Sequence, residues 1–433
     1  MQLGKTIHVY LRFWQRCAYN PKATLPAHAL NCPECGLHTD VPTLSQGQEA
    51  YCPRCNHSLV RVEHNPFITP IALAVATLIL LAGVYGMMFI TVTLTGVYAE
   101  LTFPNMMKIL MQQDFGFLAE VMFLFTFGTP LFFLLLCLYV FYALAHETPL
   151  LGLRSATRTM VRLREWMMVD VFFISTLVAY IKLRAVSQVE FGAAFWLLLV
   201  MSWLLIRTTV SVPEHWVYYQ IHRISGQSPI TDHTKQETVC CSRCLYHRPA
   251  HETECHVCGN RLFTRRPHSL RLASAFLLAA FILYFPANLL PIMTSANPIN
   301  IEVSTIFSGI IFMWRDGDKL IAAIIFSASI LVPSLKILSM TVLIASARFG
   351  LPMPIRRMSH LYRITEAVGR WSMIDIFVII ILMSAFHTPI ARVTPGPAAL
   401  YFCLVVLLTM LSAHYFDPRL LWDKHHATTL KTH

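Results

Sequence analysis

Eight long apolar runs separated by basic loops constrain this chain more than any motif does. They cover roughly Pro70–Leu94, Ala119–Ala145, Met167–Leu183, Ala193–Val212, Leu272–Thr294, Leu320–Ala345, Ser372–Phe386 and Ala398–Tyr415. A spanning helix needs about 20 mostly apolar residues, so each run reads as a transmembrane helix, with the third and seventh short. Only 13% of the 433 residues are charged, against about 25% in soluble domains, so most of the chain belongs in lipid. The net charge of +11 does not point to nucleic acid. The basic residues sit in loops between the runs, where they anchor against anionic headgroups. No short apolar core occupies the first ~30 residues, so no signal-peptide pattern is present and insertion is expected to use the internal spans.

Loop charges orient the spans. Arg154, Arg158, Arg162 and Arg164 lie between the second and third, Arg261, Arg265 and Arg266 before the fifth, and Arg348, Arg356 and Arg357 between the sixth and seventh. The alternate loops are poorer in Lys and Arg. The positive-inside rule then places the richer loops and both termini in the cytosol.

The chain also repeats itself at an offset of 203–205 residues: Pro130 matches Pro333, Trp166 to Asp170 matches Trp371 to Asp375, and Gly192 matches Gly396. One repeat holds four spans, an even number, so the two repeats share one orientation and a pseudo-two-fold axis along the membrane normal. The expected fold is an α-helical polytopic membrane protein of two parallel repeats, each preceded by a small cytosolic zinc ribbon. Its expected parts are an N-terminal segment with the first ribbon (1–65), a first bundle (66–215), a second ribbon (216–268), a second bundle (269–416) and a cytosolic tail (417–433).

The ribbons are read from eight cysteines. Cys32-Pro-Glu-Cys35 is followed by Cys52-Pro-Arg-Cys55, and Cys241-Ser-Arg-Cys244 by Cys255-His-Val-Cys258. Paired C-x2-C knuckles have the spacing of a zinc ribbon, and a tetrahedral thiolate set suits zinc or an iron centre. Disulfides are rare in the cytosol. Four thiolates leave no open coordination position, so a structural Zn2+ is expected in each ribbon. The competing reading is cysteines without metal.

Ionisable residues inside spans are costly, and usually paired or functional. Asp170 and Asp375 each follow a tryptophan by four residues, about 6 Å deeper along a helix. They could lie near the headgroups and pair with Arg164 or Arg370. Lys336 lies ten residues before Ser346, about 15 Å from the end of its helix. It could snorkel or pair with Asp375, with Ser329, Ser334 and Thr394 nearby, to hold a headgroup or relay a proton. Pro286, Asn288 and Pro291 read as a broken helix end that kinks or gates, and Pro333 frees a carbonyl in the sixth span. The chain lacks the P-loop, nucleophile-elbow and H-E-x-x-H patterns, so no enzyme class is supported.

The doubled ribbon-plus-bundle pattern resembles the paraquat-inducible protein A family, which includes lipophilic envelope-spanning tunnel protein A. The resemblance rests on Gly369 to Asp375, Pro286 to Pro291, Ser329 to Lys336 and Asp417 to Asp423, and covers nearly the whole chain. The first half departs most, lacking the Pro286–Pro291 element. The resemblance implies a subunit in the inner membrane of Gram-negative bacteria. It would partner a mammalian cell entry (MCE) domain protein that tunnels across the periplasm, and pass phospholipids to or from it. It also implies that Asp170, Ser329, Lys336, Asp375 and Thr394 form one polar network. With no nucleotide motif, a proton gradient or passive flow would drive transport. The alternatives are a secondary transporter of a small solute and a zinc-ribbon scaffold or sensor.

Overall fold

Each apolar run becomes helical because hydrocarbon offers its backbone no other partner. The computed structural model describes residues 10–13, 21–94, 97–113, 115–184, 187–226, 238–296, 301–315, 317, 319–350, 354–385 and 392–423. Eight helices in it are long and apolar enough to cross a membrane. Spans one to four are Ile68–Gly86, Gly116–Ala145, Leu153–Arg184 and Ala193–Val210. Spans five to eight are Ser269–Leu289, Ser329–Phe349, Arg357–Ala385 and Pro397–Tyr415. Large apolar side chains such as Ile79, Phe132, Trp203, Phe281 and Leu338 cover their outer faces. Residues 1–9 and 14–20 of the expected N-terminal segment and residues 424–433 of the expected tail lie outside the described residues.

Two span ends fall short of the sequence expectation. Ile90–Leu94 and Met293–Ala296, read above as the ends of spans one and five, are β-strands. Each is the centre of a three-stranded antiparallel sheet. Val97–Leu101 and Gln188–Phe191 flank the first, and Ile301–Ser304 and Arg392–Pro395 the second. The sheets lie at the end of the bundle away from the ribbons. Ile90-Thr-Val-Thr-Leu alternates apolar and polar groups, which is the period of a half-buried strand, but it follows an apolar run without a break.

A glycine locks each sheet to span four or span eight. Gly192 N–H donates to Phe89 O (2.9 Å) and Gly396 N–H to Ile292 O (2.8 Å). A Cβ on Gly192 would lie 2.1 Å from the Met88 carbonyl oxygen, and one on Gly396 2.0 Å from that of Pro291. Backbone cannot give way as a side-chain tip can. Gly192→Ala and Gly396→Ala should therefore each cost about 3 kcal/mol or more. Gly116→Ala, whose Cβ would meet nothing within 4 Å, should be near neutral. Thermal unfolding of the purified variants checks this.

The repeat signal reappears in the helical irregularities. Span two contains a π-turn at Leu124–Gly128, and a second π-turn, Ser327–Leu331, opens span six. Pro130 and Pro333 follow two residues after these turns, and the widened turn takes up the hydrogen bond that a proline cannot donate.

Spans three and seven are composite. Each begins as a basic amphipathic helix, Leu153–Arg164 or Ile355–Trp371, and turns into a short apolar one, Val169–Arg184 or Ile374–Ala385. The 12 residues of Ile374–Ala385 rise about 18 Å, less than the ~30 Å of hydrocarbon, which is why these runs read as short. The apolar pair packs together in the interior. Phe172 and its repeat counterpart Phe377 meet with ring centroids 5.3 Å apart. Equivalent residues touch where a two-fold axis passes, so spans three and seven flank the pseudo-symmetry axis.

Candidate functional site

All four C-x2-C knuckles share one backbone shape. The residue after each second cysteine has a positive φ: Gly36, Asn56, Leu245 and Gly259. Its N–H turns back to the carbonyl of the first cysteine in every case, as from Gly36 to Cys32 and from Asn56 to Cys52, both 2.9 Å. The turn aims both sulfurs at one point. Cys32–Cys55 and Cys35–Cys52 sulfurs lie 3.5 and 3.6 Å apart, and Cys241–Cys258 and Cys244–Cys255 sulfurs 3.6 and 3.5 Å. A tetrahedral site with metal–sulfur bonds of about 2.3 Å has edges of about 3.8 Å. Both sets therefore fit a tetrahedral metal ion, with the four sulfurs of each within 4.8 Å of one another. The ion would cross-link the two hairpins of each ribbon.

Each ribbon is held by the opposite repeat. Arg363, on span seven, donates from Nη2 to the Cys55 carbonyl (2.9 Å) and from Nε to Glu34 (2.8 Å). Arg158, its counterpart on span three, donates from Nε to the Cys258 carbonyl (3.0 Å). Cys55 and Cys258 are repeat equivalents too, so the exchange is symmetric. Burial alone would raise the Glu34 carboxyl, but hydrogen bonds from His57 and Arg363 outweigh it and hold it below the ordinary carboxylate range. The ribbons also meet each other: His28 and His215 stack, their Nε2 atoms 2.7 Å apart, and Trp216 donates to the Ala23 carbonyl (2.8 Å).

The polar residues of the spans do not gather as the sequence suggested. Lys336 is buried, 2% exposed, but its Nζ donates to the Gly369 carbonyl (3.2 Å) and not to Asp375. The Lys336 side chain passes close over Gly369, where a Cβ would meet its Nζ and Cε at 3.4–3.5 Å, in ordinary van der Waals contact. Asp375 is 6% exposed. Ser329 is hydrogen-bonded to it, Lys182 of span three is an opposing charge that acts on it, and its Oδ2 has no partner. Asp170 is half-buried. Arg164 does not pair with it, turning instead to Glu214 (3.7 Å) and the Val212 carbonyl (3.5 Å).

Thr394 lies apart from this cluster. It sits in the Arg392–Pro395 strand and donates to the Thr294 carbonyl (3.4 Å), beyond the far end of the helix that Asp375 begins. The fifth span continues past Pro286 and ends at Leu289, inside the segment read from sequence as a helix end. The Asn288 amide turns back on its own helix, donating to the Tyr284 carbonyl (2.8 Å). The Pro291 carbonyl accepts from Ala398 N–H (3.2 Å). These residues seat the sheet on the helix ends.

A family profile described as Paraquat-inducible protein A matches the chain twice, over residues 68–222 and 270–426. The chain belongs to the paraquat-inducible protein A family. Each profile match begins just after a ribbon and ends past the fourth span of its repeat, so the family unit coincides with the structural repeat. Intermembrane transport protein PqiA of Escherichia coli is 33% identical over 91% of this chain and 95% of its own length. Lipophilic envelope-spanning tunnel protein A of Escherichia coli is 31% identical over 91% of both. A probable intermembrane transport protein of Haemophilus influenzae is 28% identical over 93% of this chain and 98% of its own. No solved structure matches. This member of the paraquat-inducible protein A family is a multi-pass membrane protein whose relatives are named as transport proteins, not enzymes.

Sequence reading missed the crossed arginine contacts of this family member. Their one available signal was that Arg158 and Arg363 recur at the repeat offset on basic helices.

Proposed function

We propose that this chain is the inner-membrane subunit of a lipid transport system, passing phospholipids to or from a periplasm-spanning MCE-domain tunnel protein. Both ribbons and both termini would face the cytosol, and each ribbon would hold a structural Zn2+. The observation that carries the reading is Asp375. It is a carboxylate buried inside span seven, with one oxygen unpartnered, hydrogen-bonded to Ser329 and acted on by the charge of Lys182 from the other repeat. An ionisable group buried inside a span is a functional-site candidate, and the opposing charge that acts on it, Lys182, comes from the other repeat, in keeping with transporters that hold their sites between repeats. The names of the relatives place them in transport between membranes and in spanning the envelope. A lipid path opens sideways to the bilayer, whereas a small-solute site is closed and polar.

A photo-reactive residue at Leu382, a partly buried position on span seven, tests the reading. Phospholipid adducts at Leu382, together with recovery of an MCE-domain protein from the cross-linked envelope, are expected. A clean lane at Leu382, beside the adducts that lipid-facing Leu338 must give, would count against the lipid path.

A further inference from the structure

At the ribbon end, between spans three, seven and eight, lies a half-open cavity of about 420 Å³, within the range of small-molecule sites (about 300–1,000 Å³). Most charged groups on its wall are already engaged. Arg164 pairs with Glu214 (3.7 Å), Arg363 with Glu34, and Glu165 with Arg243 and His414 (both 3.2 Å). Two are not. Glu366 and Arg370 line the cavity and, among the described residues, neither side chain makes a hydrogen bond or a close ion pair. They are four apart on one helix, so they share a face with Cβ atoms about 5–6 Å apart. Trp166, Met410 and Ala413 supply an apolar wall beside them. Gly369 also lines the cavity, and its carbonyl is the acceptor of the Lys336 ammonium.

We propose that this cavity binds the zwitterionic headgroup of a glycerophospholipid, with Arg370 on the phosphate and Glu366 on the ammonium of a phosphoethanolamine group. The argument is one of matched charges. An unpaired guanidinium offers a forked donor set suited to phosphate. The unpaired carboxylate one turn away accepts from an ammonium joined to that phosphate by two carbons. A purely anionic headgroup would leave Glu366 facing a like charge. The apolar wall takes the glycerol and the start of the acyl chains. Occupation of the cavity would press on the Gly369 peptide and so reach Lys336 through a single carbonyl. The inference rests on the lipid-transport reading and adds a place and a headgroup preference to it.

Native mass spectrometry of the full-length protein, titrated with phosphatidylethanolamine and phosphatidylglycerol of equal chain length, tests the site. Free phosphoethanolamine and inorganic phosphate serve as competitors. The unaltered protein should favour phosphatidylethanolamine. Glu366→Gln should remove that preference and leave phosphatidylglycerol binding in place. Arg370→Gln should weaken both lipids about ten-fold, the loss expected for one charge-assisted contact, and Arg370→Lys should restore part of it. Unchanged metal content and elution volume show that the variants are folded. Wild-type selectivity in both Gln variants overturns the site while leaving lipid transport standing. Binding of no phospholipid by the unaltered protein overturns the transport reading too. Binding of free phosphoethanolamine without either lipid marks a soluble ligand and overturns the headgroup assignment.

Discussion

Serine in place of Cys255 and Cys258 should release one of two metal ions per chain and unfold the second ribbon. The sulfurs at those positions supply half of a four-thiolate set. Around them stand a three-residue hairpin, Thr238–Cys240 with His247–Pro249, and a single bridge between Glu254 and Arg261. Structural zinc contributes about 10–16 kcal/mol in isolated ribbon-sized peptides, as much as the whole net stability of a typical domain. Without the metal the Cys258 carbonyl has no fixed position, and Arg158 loses its partner. Metal analysis should fall from two equivalents to one, and limited proteolysis should open new cuts between residues 238 and 268. A variant that keeps both ions, or resists protease like the parent, would show that the thiols are not the ribbon's scaffold.

Asparagine at position 375 should leave the protein inserted and folded but reduce transport about 10²-fold, if the carboxylate takes and releases a proton. The substitution preserves shape and keeps an acceptor for Ser329, while removing the charge that faces Lys182. Lys336→Met should act in the same direction by freeing the Gly369 carbonyl. Asp170→Asn is the internal control. Asp170 is half-buried, and the counterpart of Lys336 in its repeat is Phe133, so its loss should cost much less. Outer-membrane lipid composition and survival under envelope stress, in cells carrying each variant at equal abundance, are the readouts. Full function in Asp375→Asn would remove the central carboxylate from the mechanism.

What could be read in the sequence divides by how local its cause is. Spans and knuckles are set by runs and spacings of a few residues, so both were legible, as was the repeat from matched positions such as Asp170 and Asp375. Strands such as Ile90–Leu94 were hidden because they continue an apolar run; their pairing with Val97–Leu101 just after them and with Gln188–Phe191, nearly a hundred residues away, is what distinguishes them. The partner of Lys336 was misread for a related reason. Sequence shows that a lysine needs an acceptor, but not that the Gly369 carbonyl, 33 residues on, lies within its reach. Thr394 entered the network through the family resemblance, yet the strand carries it beyond the end of the helix that Asp375 begins. The crossed arginines lay furthest from view, since each depends on how two repeats face one another.

That crossing has a consequence for how the protein is made. The Cys55 carbonyl waits for Arg363, 308 positions later. At about 5–20 residues per second on the ribosome, the first ribbon stands unclasped for roughly 15–60 s. During that interval the N-terminal half is already inserted but has no counterpart to grip. A chain truncated before residue 363 would therefore be a half-finished lock, exposed to quality-control proteases, and the two halves should be rescued only when produced together in one cell.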